Sequence, residues 1–415
     1  MRFLYYAGIY GYYFLILVAS LWNEKARHWV IGRKNWLEKL KQNVREKEGW
    51  IWFHCASLGE FEQGRPLIEK IKNDYPVKNI LVTFFSPSGY EIGKKYECAD
   101  YICYIPLDTR KNAKNFIDVV QPEKVFFVKY EFWFHFLNTL QKNNIRVYLI
   151  SGIFRKSQIF FKPWGTWFQK MLHAFNHFFV QNEASLILLK KLGFENVTIT
   201  GDTRFDRVNA IVQAPEKYAA IEKFKGGNVL IIAGSSWEPE EKLLMQYISD
   251  CPQGVRLLLA PHQIHEQKME ALSKKLGDRA IRFTQIKPDK QLTDKKVLIM
   301  DTMGMLTSVY QYGDIAVVGG AFGKGLHNIL EPAAYGMPVI FGPKYQKFQE
   351  AIDLLNRGGA VRITNAQELN EALDRLIEDE TERNNKGTIN RQYIEESLGA
   401  SETILRHVFI ADKNF

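Results

Sequence analysis

Short apolar runs alternate with amphipathic stretches along most of this chain. Residues 50–55, 80–85, 101–105, 124–128, 147–150, 178–181 and 197–200 read as strands. Helical periodicity fills 62–72, the stretch from Pro87 onward, and 111–120. Strands joined by helical crossovers require a parallel sheet covered on both faces. A polar, irregular stretch at 206–227 reads as a linker. A second series follows at 229–233, 255–260, 297–300, 315–318, 339–341 and 361–363, and charged helical sequence ends the chain at 367–383 and 390–405. The expected fold class is α/β, with two Rossmann-like domains whose strand-end loops face each other across a cleft. The expected boundaries are 1–45 for a membrane anchor and basic amphipathic segment, 46–210 for the first domain, 211–395 for the second, and 396–415 for a C-terminal helix.

Residues 3–22 contain no charged side chain and are followed by Lys25, Arg27, Arg33, Lys34, Lys39 and Lys41. About 20 apolar residues can span a bilayer, and a basic flank on this side keeps the following domains cytoplasmic. Tyr5, Tyr6, Tyr10, Tyr12 and Tyr13 suit an interface as well as a span, so the segment is expected to be an anchor of either kind. A secretory signal would carry its basic residues on the other side. The chain of 415 residues has a net charge of +9, spread without a dense tract, zinc-finger or RNP pattern. An anionic membrane surface or phosphorylated substrate fits that charge better than nucleic acid. Cys55, Cys98, Cys103 and Cys251 form no C-x-x-C and read as reduced thiols.

Candidate chemistry sits where strands end. Val318 runs into a turn with glycines at 319, 320, 323 and 325, and a short helix is expected to open near His327. Such a turn and helix start offer N–H groups to an anion, but G-x-G-x-x-G is not matched. Glu60, in Ser57-Leu-Gly-Glu60, is either a base for a substrate hydroxyl or a helix-capping carboxylate. His54, inside the strand, reads as a packed core residue. Glu131 lies among aromatics and calls for a partner, with Lys129, Arg155 and Arg204 as candidates. Arg204 suits an anionic group or an interdomain salt bridge. Ser235 and Glu238 read as a capping box whose exposed N–H groups could also bind phosphate. Pro261 and His262 end the next strand, where His262 could touch a nucleotide. His262 and His265 lack the further ligands a metal site needs. The loop from Asp301 to Met305 ends another strand at the same edge.

Together, His54-Cys-Ala-Ser-Leu-Gly-Glu60, Asp301-Thr-Met-Gly304, the glycine turn with His327-Asn-Ile-Leu-Glu-Pro-Ala-Ala334, and Pro338-Val with Gly342-Pro343 resemble the Kdo transferases. The resemblance covers essentially the whole chain. It implies an inverting GT-B glycosyltransferase of lipopolysaccharide assembly, which moves 3-deoxy-D-manno-octulosonic acid (Kdo) from CMP-Kdo to a lipid A precursor at the cytoplasmic face of the bacterial inner membrane. It further implies that Glu60 is the general base, that Glu131 is the second acid of a Glu-Thr-Glu motif, and that Arg204, where the family has lysine, supports the transition state. CMP is then expected at Ser235, Pro261, His262, Met303, Gly304, Met305, Asn328, Ile329, Leu330 and Glu331, with Glu331 on the ribose.

Lys129 replaces an acidic residue of the family pattern, His262 an arginine, Met305 a glutamate and Ala321 a small hydroxyl residue. These departures bear on nucleotide contact and acceptor choice rather than on reaction class. No cofactor is expected, and the absence of a D-x-D-like motif at a strand end points to metal-independent chemistry. The implied partners are CMP-Kdo, a lipid A precursor and inner-membrane lipids, with no nucleic acid. Nothing in the sequence marks an oligomeric state. Two other readings share the architecture: another GT-B sugar-nucleotide enzyme, such as an epimerase, and a silent membrane-tethered scaffold. The aromatic-basic run at 154–164 is a candidate acceptor or membrane face.

Overall fold

The computed structural model describes residues 1–44, 47–287, 292, 294–323 and 325–410. Lys324 of the glycine turn, residues 45–46 at the expected domain boundary and 411–415 of the expected C-terminal helix lie outside the described residues. Two compact units form. One is Met1–Arg207 with the described part of Leu398–Phe415, and the other is Val208–Ser397.

The first unit contains β1 (Trp50–Cys55), β2 (Asn79–Phe84), β3 (Tyr101–Tyr104), β4 (Lys124–Val128), β5 (Arg146–Gly152), β6 (His177–Val180) and β7 (Val197–Ile199). They pair in parallel in the order β3-β2-β1-β4-β5-β6-β7. The second contains β8 (Val229–Ser236), β9 (Val255–Pro261), β10 (Ala280–Arg282), β11 (Val297–Ile299), β12 (Ile315–Val318), β13 (Val339–Phe341) and β14 (Ala360–Arg362). Their order is β10-β11-β9-β8-β12-β13-β14, again parallel. The order of the first sheet reverses between β1 and β4, and that of the second between β8 and β12, where β10 also lies outside β11 at the sheet edge. Crossovers leave toward opposite faces at such a point, which opens a crevice beyond the strand ends.

Both faces of the first sheet are packed, as its apolar runs require. Trp52 meets Phe116 at 4.8 Å on one face, and Phe53 stacks on Phe126 at 4.6 Å on the other. Burying side chains of this kind stabilises by about 1.5–3 kcal/mol each. The second face is completed from the far end of the chain. After helix Glu380–Glu396, helix Ala400–Leu405 and the turn Arg406–Ile410 bring Ile404, Leu405, Val408 and Phe409 against the cluster of Ile51 and Phe53. The N–H groups of Gly399 and Ser401 donate to the two oxygens of Asp206 at 2.8 and 2.7 Å.

Three expectations need correction. The expected linker at 206–227 is largely helical, as Arg204–Gln213 and Ala219–Lys225. Phe205 and Val208 in the first helix, and Ile221 and Phe224 in the second, sit three apart and are buried. One buried stripe suffices for a short helix on a core. The helix expected near His327 spans only Leu330–Ala334, and His327 stays in the loop. The helix after β1 begins at Leu58 rather than 62, which places Glu60 in its first turn.

The N-terminal helix Arg2–Ala19 is long and apolar enough to cross a membrane by length and composition. One side of it rests on the first unit. The Tyr5 hydroxyl donates to Asp108, the Tyr5 ring lies 5.5 Å from that of Phe134, Tyr6 meets His135 at 4.7 Å, and Tyr12 meets Phe85 at 6.0 Å. Phe85, Asp108 and Phe134 follow β2, β3 and β4, so the helix borders the carboxyl edge of the sheet.

Candidate functional site

The first unit's reversal point is flanked by the two carboxylates singled out from the sequence. Glu60 follows β1 and Glu131 follows β4. Glu60 is only 5% exposed, and its carboxylate accepts from the Ser57 N–H at 3.1 Å. The capping geometry is therefore real. Burial and then the charge of Glu131 nevertheless push the Glu60 carboxyl up to about 7, outweighing the Ala56 and Ser57 N–H groups and Lys129. A carboxyl that titrates near neutrality beside a second acid can take up a proton at working pH.

Glu131 lies 3.7 Å from His54 Nε2. That separation is not a hydrogen bond, because Nε2 already accepts from the Trp133 indole at 3.0 Å. Indole only donates, so the His54 proton sits on Nδ1, which donates to Thr83 Oγ1 at 2.9 Å. His54 is fully buried with both nitrogens engaged, a structural residue that braces the loop carrying Glu131. Arg204 pairs with Asp202. Its Nε and Nη2 donate to Asp202 Oδ2 at 2.9 and 2.8 Å, and its backbone N–H to Oδ1 at 3.0 Å. Gln63 Nε2 donates to the same carboxylate at 3.1 and 3.0 Å. Asp202 is the partner the sequence reading missed, although the Asp-Thr-Arg spacing contained it.

At the reversal point of the second unit the loops after β8, β9 and β12 carry three parallel rings. Trp237 stacks on His262 at 4.7 Å, and His262 on His327 at 4.3 Å. The Trp237 indole donates to His327 Nε2 at 2.9 Å, which leaves the His327 proton on Nδ1. Burial, with the charge of His262, lowers the His327 imidazole to about 4, and burial also lowers His262. Both rings are therefore neutral at pH 7 and offer stacking surface and hydrogen bonds rather than charge. Glu240, 2% exposed, accepts from the Trp237 N–H at 3.1 Å and the Gly320 N–H at 2.9 Å, and so ties two loops together. The expected Ser235–Glu238 capping box is displaced by two residues: the helix starts at Glu238, Glu240 makes the reciprocal bond, and Glu238 pairs with Lys242 at the surface.

Close approach explains two glycines. A Cβ on Gly319 would stand 2.4 Å from Ser235 O, and one on Gly320, at φ +94°, would stand 2.3 Å from Gly325 O. Ser235 has φ +49° and Lys129 φ +70°, non-glycine residues in left-handed conformation beside the two reversal points.

The remaining expected residues gather at this edge with unequal access. Pro261 is buried at the end of β9, whereas His262 and Met303 are exposed. Gly304 takes φ +87°, and Met305 is half-buried, its sulfur accepting from Thr302. Asn328 Nδ2 donates to Glu331 Oε1 at 3.0 Å, and Thr307 donates to Oε2 at 3.1 Å. The side chains of Ile329 and Leu330 are fully buried, so these residues can meet a ligand only through backbone. Trp237, His327 and Glu240 are the additions; each was visible as a strand-end residue, but its ring or carboxylate partner was not.

Residues 34–207 match the family model described as 3-deoxy-D-manno-octulosonic-acid transferase (kdotransferase). The 3-deoxy-D-manno-octulosonic acid transferase of Aquifex aeolicus is 28% identical over 81% of this chain and 88% of its own length. That of Haemophilus influenzae is 27% identical over 86% and 85%. A bifunctional glycosyltransferase/methyltransferase of Fusobacterium nucleatum is 27% identical over 90% of this chain, which spans only 59% of that longer protein. In fold, the chain is similar to a putative UDP-N-acetylglucosamine 2-epimerase from Listeria monocytogenes, with a TM-score of 0.62 at 13% identity over 89% of this chain and 98% of that one. It is also similar to MurG of Acinetobacter baumannii, with a TM-score of 0.53 at 11% identity over 87% and 99%. With two α/β units of this GT-B type, a match to the kdotransferase model over residues 34–207 and likeness along most of its length, the chain is similar to the Kdo transferases.

Proposed function

We propose that the protein transfers Kdo from CMP-Kdo to the primary hydroxyl of a lipid A precursor, with inversion, at the cytoplasmic face of the inner membrane. The observation that carries this reading is the buried Glu60 beside Glu131 at the reversal point of the first sheet, its carboxyl pushed up to about 7. Glu60 takes the hydroxyl proton as the acceptor oxygen bonds to the anomeric carbon of Kdo. The bond from that carbon to the phosphate breaks, and CMP leaves with the electron pair. The charge of Glu131 keeps Glu60 basic. Arg204, held by Asp202, offers the departing charge a cation of fixed direction. The second unit is assigned to CMP, with the Trp237, His262 and His327 rings facing the nucleotide and Glu331 accepting from the ribose hydroxyls. The reading needs no metal ion.

The test incubates the protein with CMP-Kdo and a lipid A precursor and follows CMP release together with mass gain of the lipid. Glu60→Gln should lower transfer by about 10²–10⁴-fold and leave CMP affinity unchanged. Excess EDTA should leave the rate unchanged. Near-normal turnover by Glu60→Gln would sink the base assignment, and a chelator-sensitive rate the metal-free chemistry. CMP release without a heavier lipid would mean hydrolysis, and no release would mean a binding scaffold.

A further inference from the structure

The N-terminal helix borders a cavity of about 760 Å³ with helices Phe134–Lys142 and Thr166–Leu172. Its size falls within the roughly 300–1,000 Å³ of ordinary small-molecule sites. The lining includes the cations Arg2 and Lys170, the amides of Asn138 and Gln141, and Trp167 and Met171, with no carboxylate. Among the described residues no ion pair engages Arg2 or Lys170. The positive field is felt nearby, since Arg110 and Arg2 help burial to lower the His135 imidazole to about 4. A second, apolar pocket of about 280 Å³ shares Met1 with the first and continues along the same helix past Leu4, Gly8, Ile9 and Phe168. A Cβ on Gly8 would meet nothing within 4 Å, so an open groove runs there. The same helix turns Phe3, Phe14 and Leu15 to the outside, 81%, 63% and 66% exposed.

A cationic, carboxylate-free cavity that continues into an apolar groove is complementary to an amphiphile with an anionic head and a hydrocarbon tail. We propose that this site holds one anionic phospholipid of the bilayer, its phosphate between Arg2 and Lys170 and one acyl chain in the groove at Gly8. For the hydroxyls of a sugar head group the lining offers only the Asn138 and Gln141 amide oxygens as side-chain acceptors, whereas its two cations suit a phosphate. The bound lipid would hold the N-terminal helix against the membrane surface. The site is separate from Glu60, and its test does not use the transfer reaction.

The full-length protein is placed in nanodiscs containing a photoreactive-tail phosphatidylglycerol or, in parallel, a phosphatidylcholine with the same tails. Labelled residues are then mapped by mass spectrometry. The phosphatidylglycerol should label the segment around Trp167 and Phe168 many-fold more than the phosphatidylcholine. Each cation should contribute about five-fold, so Arg2→Gln with Lys170→Gln should lower that labelling by roughly 25-fold. Gly8→Leu, which fills the groove and favours the helix, should abolish labelling there while leaving vesicle binding intact. Equal labelling by the two lipids in the unaltered protein would overturn the proposal, whatever the variants do. So would labelling that survives the double substitution, competition by millimolar inorganic phosphate (a free-anion site), or displacement by a lipid A precursor at lower concentration than by phosphatidylglycerol (an acceptor pocket).

Discussion

Glu60 carries opposing demands in one side chain. At the third position of a helix, its bond to the Ser57 N–H and the helix dipole favour the charged form, an effect worth about 0.3–1 kcal/mol. Burial and Glu131 work the other way and win, raising the carboxyl from 4.5 to about 7. A shift of that size corresponds to at most about 3 kcal/mol against the ionised folded state. The sign follows from proton counting. Between pH 4.5 and 7 the folded state keeps a proton that the unfolded state has released, so stability falls as pH rises through that window. Glu60→Gln, which cannot ionise, should match the natural protein near pH 4 and exceed it at pH 8. The difference should approach several degrees in melting temperature, read by thermal unfolding across that range. Activity should move oppositely: kcat/KM of the natural protein should rise with pH through about 7 as the base is freed. A substitution that stabilises while abolishing transfer distinguishes a site residue from a cap, because loss of a cap destabilises. His54 shows the reverse case. Its reading as a packed residue holds, and the donors around it fix its tautomer.

At the scale of elements, strands were the most legible. β1, β4, β12 and β13 run between the expected residues because their apolar runs are bounded by polar or glycine residues. Three-residue β10 was not seen, since a strand that short in charged sequence has no periodicity to detect. Helix starts shifted for a physical reason: Ser57 and Trp237 take extended backbone and begin helices whose third residue is a glutamate reaching back to the preceding N–H. Hydropathy, the basic flank and the tyrosines point to an N-terminal anchor, and none of them reveals that one side of the helix is fastened to the fold. The Tyr5 hydroxyl donates to buried Asp108 and accepts from the Phe134 N–H at 3.3 Å. Burial pushes Asp108 up to about 6 even though Tyr5, His135 and Phe136 all donate to it. Tyr5→Phe removes one of those donors and should cost about 1–3 kcal/mol. Limited proteolysis should then cleave within or just after the N-terminal helix far faster than in the natural protein, with CMP affinity unaltered. Equal cleavage rates would mean that the aromatic contacts alone hold the helix.

On the scale of the whole molecule, the chain's last described turns complete the core of its first unit. Ile404, Leu405, Val408 and Phe409 together contribute about 6–12 kcal/mol of burial, comparable with the 5–15 kcal/mol by which a domain is stable. A chain ending at Ser397 should therefore lose the cooperative melting of the first unit while the second still melts, which calorimetry would resolve as one transition in place of two. Two unchanged transitions would show that the returning segment is dispensable. The fold class, the strand-end positions of Glu60, Glu131 and the glycine turn, and the resemblance that points to Kdo transfer are legible in the sequence. Those features rest on local pattern: apolar periodicity, breaker residues and motif order are all written along the chain. Strand order emerges in three dimensions, where β1 meets β4 and β8 meets β12, so that Glu60 comes beside Glu131 and Trp237 beside His327. The tertiary structure also pairs Arg204 with Asp202 and returns the chain end to the first sheet. Such pairings are fixed by burial and by satisfying every buried polar group at once, over separations at which no local pattern carries information.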